Sequence, residues 1–262
     1  ARINTILIDI PQCLTMLNEQ GWAVTQDSNY EDIIYINSHR GSLEKSEAFI
    51  KGYITFMDKA SMLVARLVNP QPGERILDCC AAPGGKSMYM AALMDNVGSL
   101  MSCDIHEHKI ELMNSNAERL GASIVHTKVQ DATKLPDSWN SYFDRVLVDA
   151  PCSGLGILQK KLDMRWRKQE SILSELPSLQ LAILERAAMT VKEKGYLIYS
   201  TCTLNYKENE EVVESFLQKH KEFSIIPVAD DFPLKSNSGM ITTYPPTDDM
   251  DGFFMVKMQR IS

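Results

Sequence analysis

Past Glu74 this chain alternates short apolar runs with stretches of helical period, and that rhythm limits the folds open to it more than any other feature. Strands are expected over 75–80, 98–103, 124–127, 143–149 and 195–200, and helices over 87–94, 107–120, 172–191 and 207–219. The run at 143–149 is apolar nearly throughout, which fits a strand covered on both faces. A late strand at 253–258 is expected to run antiparallel. This order argues a doubly wound α/β sheet, in which ligands sit beyond the carboxyl ends of the strands. Ahead of it, residues 1–45 read as a small α+β unit, extended at 3–8 and 33–36, with a helix over 11–21 that ends at Gly21. Residues 46–68 carry apolar residues at helical spacing, and Asn69-Pro70-Gln71-Pro72-Gly73 makes a turn. The expected division is therefore 1–45 and 46–262.

With 262 residues, 44% apolar and 23% charged, the chain can bury a full core without disulfides or structural metals. No apolar run is long enough for a transmembrane helix, so no membrane partner is expected. The start at Ala1 has neither an initiator Met nor a signal-peptide layout, which points to a fragment or a processed product. The six cysteines include no Cys-x-x-Cys pair and read as reduced thiols of a cytoplasmic enzyme. His106 and His108 form an isolated His-x-His, read as a solvated helix start rather than a metal site. The net charge of −7 weighs against a uniformly basic nucleic-acid binder but leaves room for a local basic patch.

Three strand ends carry chemistry. The first runs into Asp78-Cys79-Cys80-Ala81-Ala82-Pro83-Gly84-Gly85-Lys86-Ser87. Small residues and paired glycines let a backbone approach a ligand closely, and the helix that follows offers free N–H groups to a carboxylate. A P-loop would need glycine where Cys80 stands, and the dinucleotide pattern G-x-G-x-x-G is absent. S-adenosylmethionine, whose sites tolerate a looser glycine-rich turn, remains. Asp104 ends the second strand twenty residues after Gly84, where an acid takes ribose hydroxyls in dinucleotide folds. Asp131 follows the third strand, in place for an adenine edge.

The fourth and fifth strands run into Asp149-Ala150-Pro151-Cys152-Ser153-Gly154 and Ser200-Thr201-Cys202-Thr203. If these strands are neighbours, both thiols open into one crevice. A reaction that uses them is methylation of cytosine at carbon 5. That carbon is a poor nucleophile until a thiolate adds to carbon 6 and makes the ring enamine-like. The attacking cysteine must ionise near neutral pH, helped by a nearby cation such as Lys86. Asp149 is placed to hold ring nitrogen 3 and the amino group as charge develops. The base must leave any stack to be reached.

Taken together, the Cys80–Lys86, Asp149–Gly154 and Ser200–Asn205 motifs, with Glu208-Asn209-Glu210-Glu211 after them, resemble the RNA 5-methylcytosine methyltransferases of the Nol1/Nop2/Sun family. The likeness is strongest to the bacterial branch that acts on small-subunit (16S) rRNA. Arg2-Ile3-Asn4-Thr5 resembles the opening of that family's small RNA-binding subdomain, and Asp251-Gly252-Phe253-Phe254 its C-terminal signature. The resemblance implies a class I (Rossmann-like) methyltransferase with a mostly parallel seven-stranded sheet. It implies cofactor contacts from Cys80, Ala81, Ala82, Pro83, Gly84, Gly85 and Lys86, and from Asp104, Asp131 and Asp149. It also implies that Cys202 is the nucleophile and that Cys152 assists release of product. DNA cytosine methyltransferases use a Pro-Cys nucleophile instead, so having both thiols favours RNA over DNA. Relatives usually carry a further N-terminal domain like the antitermination factor NusB, and nothing here resembles it. Met57 stands where Gln is expected, Tyr206 where Pro is common, and Cys79 replaces an aliphatic residue.

Directly after the Cys152 motif, Lys160, Lys161, Arg165, Arg167 and Lys168 surround Trp166 with one acid, Asp163, among them. The basic groups suit phosphates and the indole suits an unpaired base; the competing reading is a solvated helix start with Trp166 in the core. The expected protein is a monomeric, S-adenosylmethionine-dependent 16S rRNA methyltransferase. The same chemistry on tRNA or 23S rRNA, or a non-catalytic rRNA-binding assembly factor, are the alternatives. An adenine-N6 enzyme would want Asn-Pro-Pro-Tyr where Asp149-Ala150-Pro151-Cys152 stands.

Overall fold

The computed structural model describes residues 1–160 and 170–261. The chain opens with β1 (Arg2–Ile3), α1 (Ile10–Glu19), β2 (Ala23–Gln26), β3 (Ile34–Ser38), α2 (Glu47–Ile50) and β4 (Ile54–Thr55). β1 pairs with β4 and β2 with β3, both antiparallel, and Ile3, Leu17, Trp22, Ile34, Ala48 and Ile54 form a core of their own. The strand expected over 3–8 is confined to Arg2–Ile3, because Leu7 N and Ile8 N donate back to Asn4 O and turn the chain. The helix expected over 46–68 is two helices with β4 between them. Gly52 breaks it: its φ is +75°, and a Cβ there would lie 2.0 Å from Arg119 O. Asp58 then restarts the helix as α3 (Lys59–Val68), its Oδ1 accepting from Ala60 N at 2.9 Å.

Buried polar groups tie this unit to the rest. Asn4 Nδ2 donates to Gly52 O (2.9 Å) and Leu120 O (2.8 Å). The Arg2 guanidinium is fully buried, donates to Met88 O (3.2 Å) and lies over the Tyr89 ring. Beside it, Asp32 takes both Arg66 and the Tyr89 hydroxyl.

From there strands and helices alternate: β5 (Arg75–Asp78), α4 (Gly85–Leu93), β6 (Ser99–Asp104), α5 (Glu107–Arg119), β7 (Val125–Val129), β8 (Phe143–Asp149), α6 (Glu170–Ala188), β9 (Val191–Thr201), α7 (Glu210–Lys219), β10 (Phe223–Ile225), β11 (Met240–Thr242) and β12 (Phe254–Arg260). The sheet order is β10-β12-β9-β8-β5-β6-β7, parallel from β7 to β9, with β12 antiparallel to β9 as expected. Among the described residues the sheet has eight strands rather than seven. The extra strand arises because β10 and β11 share one position, pairing with opposite ends of β12. Both are three residues long, too short for an alternation to stand out in the sequence.

Alternate residues of each strand feed the two faces. Ile76, Leu100, Leu147, Ile198 and Met255 pack under α3 and α4. Leu77, Val146, Val148, Leu197 and Tyr199 pack under α6 and α7. Two boundaries differ from expectation. The helix expected over 172–191 stops at Ala188, where Thr190 N and Oγ1 both return to Ala187 O, and Val191 already belongs to β9. The helix expected over 207–219 starts at Glu210, because Asn209 leaves helical geometry (φ −113°, ψ −96°) to bridge two threonines of the site. No helix among the described residues is long and apolar enough to cross a membrane.

Candidate active site

The carboxyl ends of β5, β6, β8 and β9 open onto a cleft of about 510 Å³. It is lined by Cys80, Ala82, Asp104, Asp131, Asp149, Cys152 and Cys202 among others. That volume lies within the range of small-molecule sites. At its floor the loop after β5 turns sharply: Ala81 N donates to Cys103 O (2.7 Å) and Gly84 N to Ala81 O (2.7 Å). Gly84 has φ +96° and begins α4 without a capping side chain, so the first-turn N–H groups of α4 have no side-chain acceptor at the N-cap. Met57 stands over Gly85, its Sδ 3.7 Å from where a Cβ would be.

The acids are spaced around this loop. Asp104 is buried at the end of β6, accepting from His106 N (3.0 Å) with Lys109 close by (3.4 Å). Asp131 Oδ1 takes the Thr133 hydroxyl (2.6 Å) and amide (2.9 Å), which hold its pKa below the usual carboxylate range. Asp149 is bound on both oxygens, by Lys86 Nζ (2.6 Å) and Ser200 Oγ (2.7 Å). Burial works against the Lys86 ammonium, but Asp149 outweighs it and the pKa is raised.

β8 and β9 are neighbours, with Asp149 opposite Ser200, so the loops beyond them bring the two thiols together. Cys152 Sγ and Cys202 Sγ are 3.1 Å apart. The two share one hydrogen bond and do not ionise alike. The bond from Cys152 lowers the pKa of Cys202; burial and Asp149 oppose it and Lys86 supports it. Cys152 is pushed well up, first by its bond to Cys202 and then by burial. The thiols titrate as a pair: a bond donated by Cys152 favours a thiolate on Cys202, while Cys202 N donates to Cys152 Sγ (3.3 Å).

Residues 65–259 match the family described as 16S rRNA methyltransferase RsmB/F. This chain belongs to that family. It is 38% identical to the probable ribosomal RNA small subunit methyltransferase B of Bacillus subtilis (strain 168), covering 99% of this chain and 59% of that protein. It is 34% identical to the protein of the same name from Synechocystis sp., covering 98% and 58%. The chain thus spans less than two thirds of these relatives. Among solved structures it resembles PH0851 (TM-score 0.92, 32% identity, 98% of this chain and 58% of that one). It also shares the fold of NSun6 from Pyrococcus horikoshii with SFG (TM-score 0.89, 22% identity, 100% and 90%).

The family's other motifs converge on the thiols. Gly156 N donates to Cys202 O and Gly252 N to Gly156 O, each at 3.0 Å, so Asp251–Phe254 is joined to the segments that carry the two cysteines. Lys160, expected on RNA, has its ammonium on Asp58 Oδ2 (2.5 Å) and Asp251 Oδ2 (3.0 Å). Lys161, Arg165, Trp166, Arg167 and Lys168 lie outside the described residues. His106 is the N-cap residue of α5 and lines the cleft; its ring is 5.5 Å from that of His108. No group of three potential metal ligands occurs among the described residues.

The sequence reading gives two residues of the site no role. Gln180, inside α6, donates to Pro151 O (2.9 Å) and to Glu208 Oε2 (3.0 Å). Asp78 is the second. It is wholly buried, takes Ser87 Oγ on Oδ2 (2.7 Å), and its Oδ1 has no partner. Burial pushes its carboxyl up to about 7, with Ser87 opposing and Asp149 adding. Since the unfolded value is about 4, the folded chain holds a proton there that the unfolded chain lacks. The contribution to stability is full below about pH 4 and is lost as pH rises through about 7. Asp78→Asn is expected to flatten that decline. Denaturation midpoints across this range check it, and an unchanged slope in the variant would count against a raised Asp78.

Proposed function

We propose that this chain methylates carbon 5 of a cytosine in RNA, with 16S rRNA as substrate, S-adenosylmethionine as methyl donor and Cys202 as nucleophile. The observation that carries this is the pair of thiols 3.1 Å apart at the ends of adjacent parallel strands, inside the cleft that the glycine loop floors. The cleft suits the donor. The uncapped start of α4 offers N–H groups to its carboxylate, Asp104 is in place for ribose hydroxyls, and the buried Asp78 Oδ1 under the loop awaits a donor. When bound, S-adenosylmethionine supplies the methyl group that carbon 5 takes.

The chain's own residues do the rest. The Cys202 thiolate adds to carbon 6, and the electron pair of the 5,6 double bond moves towards carbon 5. Asp149 has lone pairs beyond those given to Lys86 and Ser200 and accepts from the exocyclic amino group, orienting the ring. After methylation a base takes the carbon-5 proton, the double bond reforms and the carbon–sulfur bond breaks. Cys152, already hydrogen-bonded to Cys202, returns a proton to the departing sulfur. The N-terminal unit, placed at 1–45 from the sequence, would hold the RNA strand together with Lys161, Arg165, Trp166, Arg167 and Lys168, whereas the Lys160 ammonium is taken by Asp58 and Asp251. We place the chain in the cytoplasm as a monomer that takes RNA and not DNA.

Cys152→Ala, incubated with S-adenosylmethionine and 16S rRNA, is expected to leave a protein–RNA band on a denaturing gel that disappears when Cys202→Ala is added. A band with tRNA or 23S rRNA alone would keep the chemistry and replace the substrate. No band with any RNA, despite donor binding, would sink the proposal in favour of a non-catalytic rRNA-binding factor.

A further inference from the structure

We propose that Glu208 is a positioning residue that sets the contact between the two thiols; this rests on the reading of Cys202 as nucleophile. Glu208 follows Cys202 by six residues and is wholly buried, in a short turn at Tyr206–Glu208. Its carboxylate accepts from Ser153 N (2.8 Å) and Gln180 Nε2 (3.0 Å) on one oxygen and from Asn205 Nδ2 (2.9 Å) on the other. Among the described residues no cation pairs with it. The charge is carried by N–H donors, and each of them belongs to a cysteine loop or holds one. Ser153 adjoins Cys152. Gln180 also holds Pro151 O on the other side of that cysteine. Asn205 lies in the loop that Cys202 begins. The backbone of Glu208 is fixed in turn by the Tyr199 hydroxyl on its carbonyl (2.6 Å).

The other links between the loops are neutral: Ser153 Oγ with Thr203 Oγ1 (2.7 Å), Gly156 N on Cys202 O (3.0 Å) and Cys202 N on Cys152 Sγ (3.3 Å), while Asn209 between Thr201 and Thr203 braces the Cys202 loop from within. Charge-assisted bonds are about twice as strong as these, so the carboxylate is the strongest clamp holding one loop against the other. It touches neither thiol. It acts on the reaction through the sulfur–sulfur distance, which decides whether Cys152 can support a thiolate on Cys202 and return a proton to it.

Glu208→Gln separates this role from packing, because glutamine has the same shape but accepts on one side only. Its NH2 must face either Ser153 N or Asn205 Nδ2. Asn205 cannot turn over without breaking the bond from Lys207 N to its Oδ1. One loop then shifts. The 262-residue protein would be alkylated with iodoacetamide across a pH series, with modification at Cys202 read by mass spectrometry. Cys202 is faced by Cys152, by Asp149 of β8 and by Lys86 of α4, none of them altered in this variant. Its alkylation midpoint is expected to rise by about one pH unit, so that modification below the midpoint slows roughly tenfold. Glu208→Gln is also expected to accumulate the RNA adduct that Cys152→Ala accumulates.

Asn205→Ala, which removes one donor, should move both readouts the same way and less. A folded Glu208→Gln with the wild-type midpoint and no adduct overturns the proposal. If that variant does not fold, a wild-type midpoint in Asn205→Ala overturns it. Alkylation needs no RNA, so a failure of the RNA reading would appear in the Cys152→Ala gel and leave this midpoint free to stand or fall alone.

Discussion

Cys202→Ala is expected to lower methyl transfer to RNA roughly a thousandfold or more while donor binding stays intact. In the proposed mechanism the size of the loss follows from what the thiolate does. Without addition at carbon 6, carbon 5 stays aromatic and does not attack, and no other group in the cleft can take over. Lys86 is bound to Asp149, and the cysteines at the ends of β5 and β6, Cys79, Cys80 and Cys103, are pushed above the ordinary thiol range by burial. Cys152 is closest, but in the proposed mechanism it is the proton donor of the pair, and its bond to Cys202 and burial push its thiol up. The Cys202 thiolate grows in as pH rises through a pKa below that of a free thiol. Single-turnover rates should therefore climb with pH and level off at lower pH than free cysteine would give. Incorporation of labelled methyl groups, with donor binding measured in parallel, checks both statements. A Cys202→Ala enzyme within tenfold of wild type would remove Cys202 from the mechanism.

Much of this site is legible in the sequence because its chemistry sits at strand ends. An apolar run followed by small and turn-forming residues locates both the strand and what it delivers. Phe143–Asp149 and the motif behind it could be placed on that basis alone. What could not be read is whatever depends on partners distant along the chain. Nothing near Gly52 says that Arg119 O will press against it, so 46–68 looks like one helix. Nothing near Gln180 marks it off from the other polar residues of a long helix, though it reaches 29 residues back to Pro151. Lys160 looks like part of a basic stretch until Asp58 and Asp251, from opposite ends of the chain, are folded onto it. Charge along the sequence does not tell where a charge is already neutralised.

Gly156→Ala should be the most damaging change away from the reacting atoms. The glycine is not needed for a left-handed backbone; it is needed for space. A Cβ at Gly156 would lie 1.9 Å from Gly252 O and 2.6 Å from Gly252 C, and backbone cannot swing aside as a side chain can. At the same place Gly156 N holds Cys202 O and Gly156 O holds Gly252 N. A methyl group there forces the Asp251–Phe253 loop and the Cys152 loop apart by an ångström or more. Two costs follow. Overpacking takes about 1–3 kcal/mol of stability, seen as a lower Tm. Misplacing Cys202 by about an ångström costs on the order of a hundredfold in kcat. Gly252→Ala makes the same contact from the other side, with a Cβ 2.8 Å from Gly156 Cα and 3.2 Å from Leu204 Cδ2. It should be milder, since its nearest backbone contact is 2.8 Å away rather than 1.9 Å. A Gly156→Ala enzyme with wild-type kcat and Tm would mean that the two backbones are not in contact in solution. The C-terminal signature would then have no hold on the nucleophile.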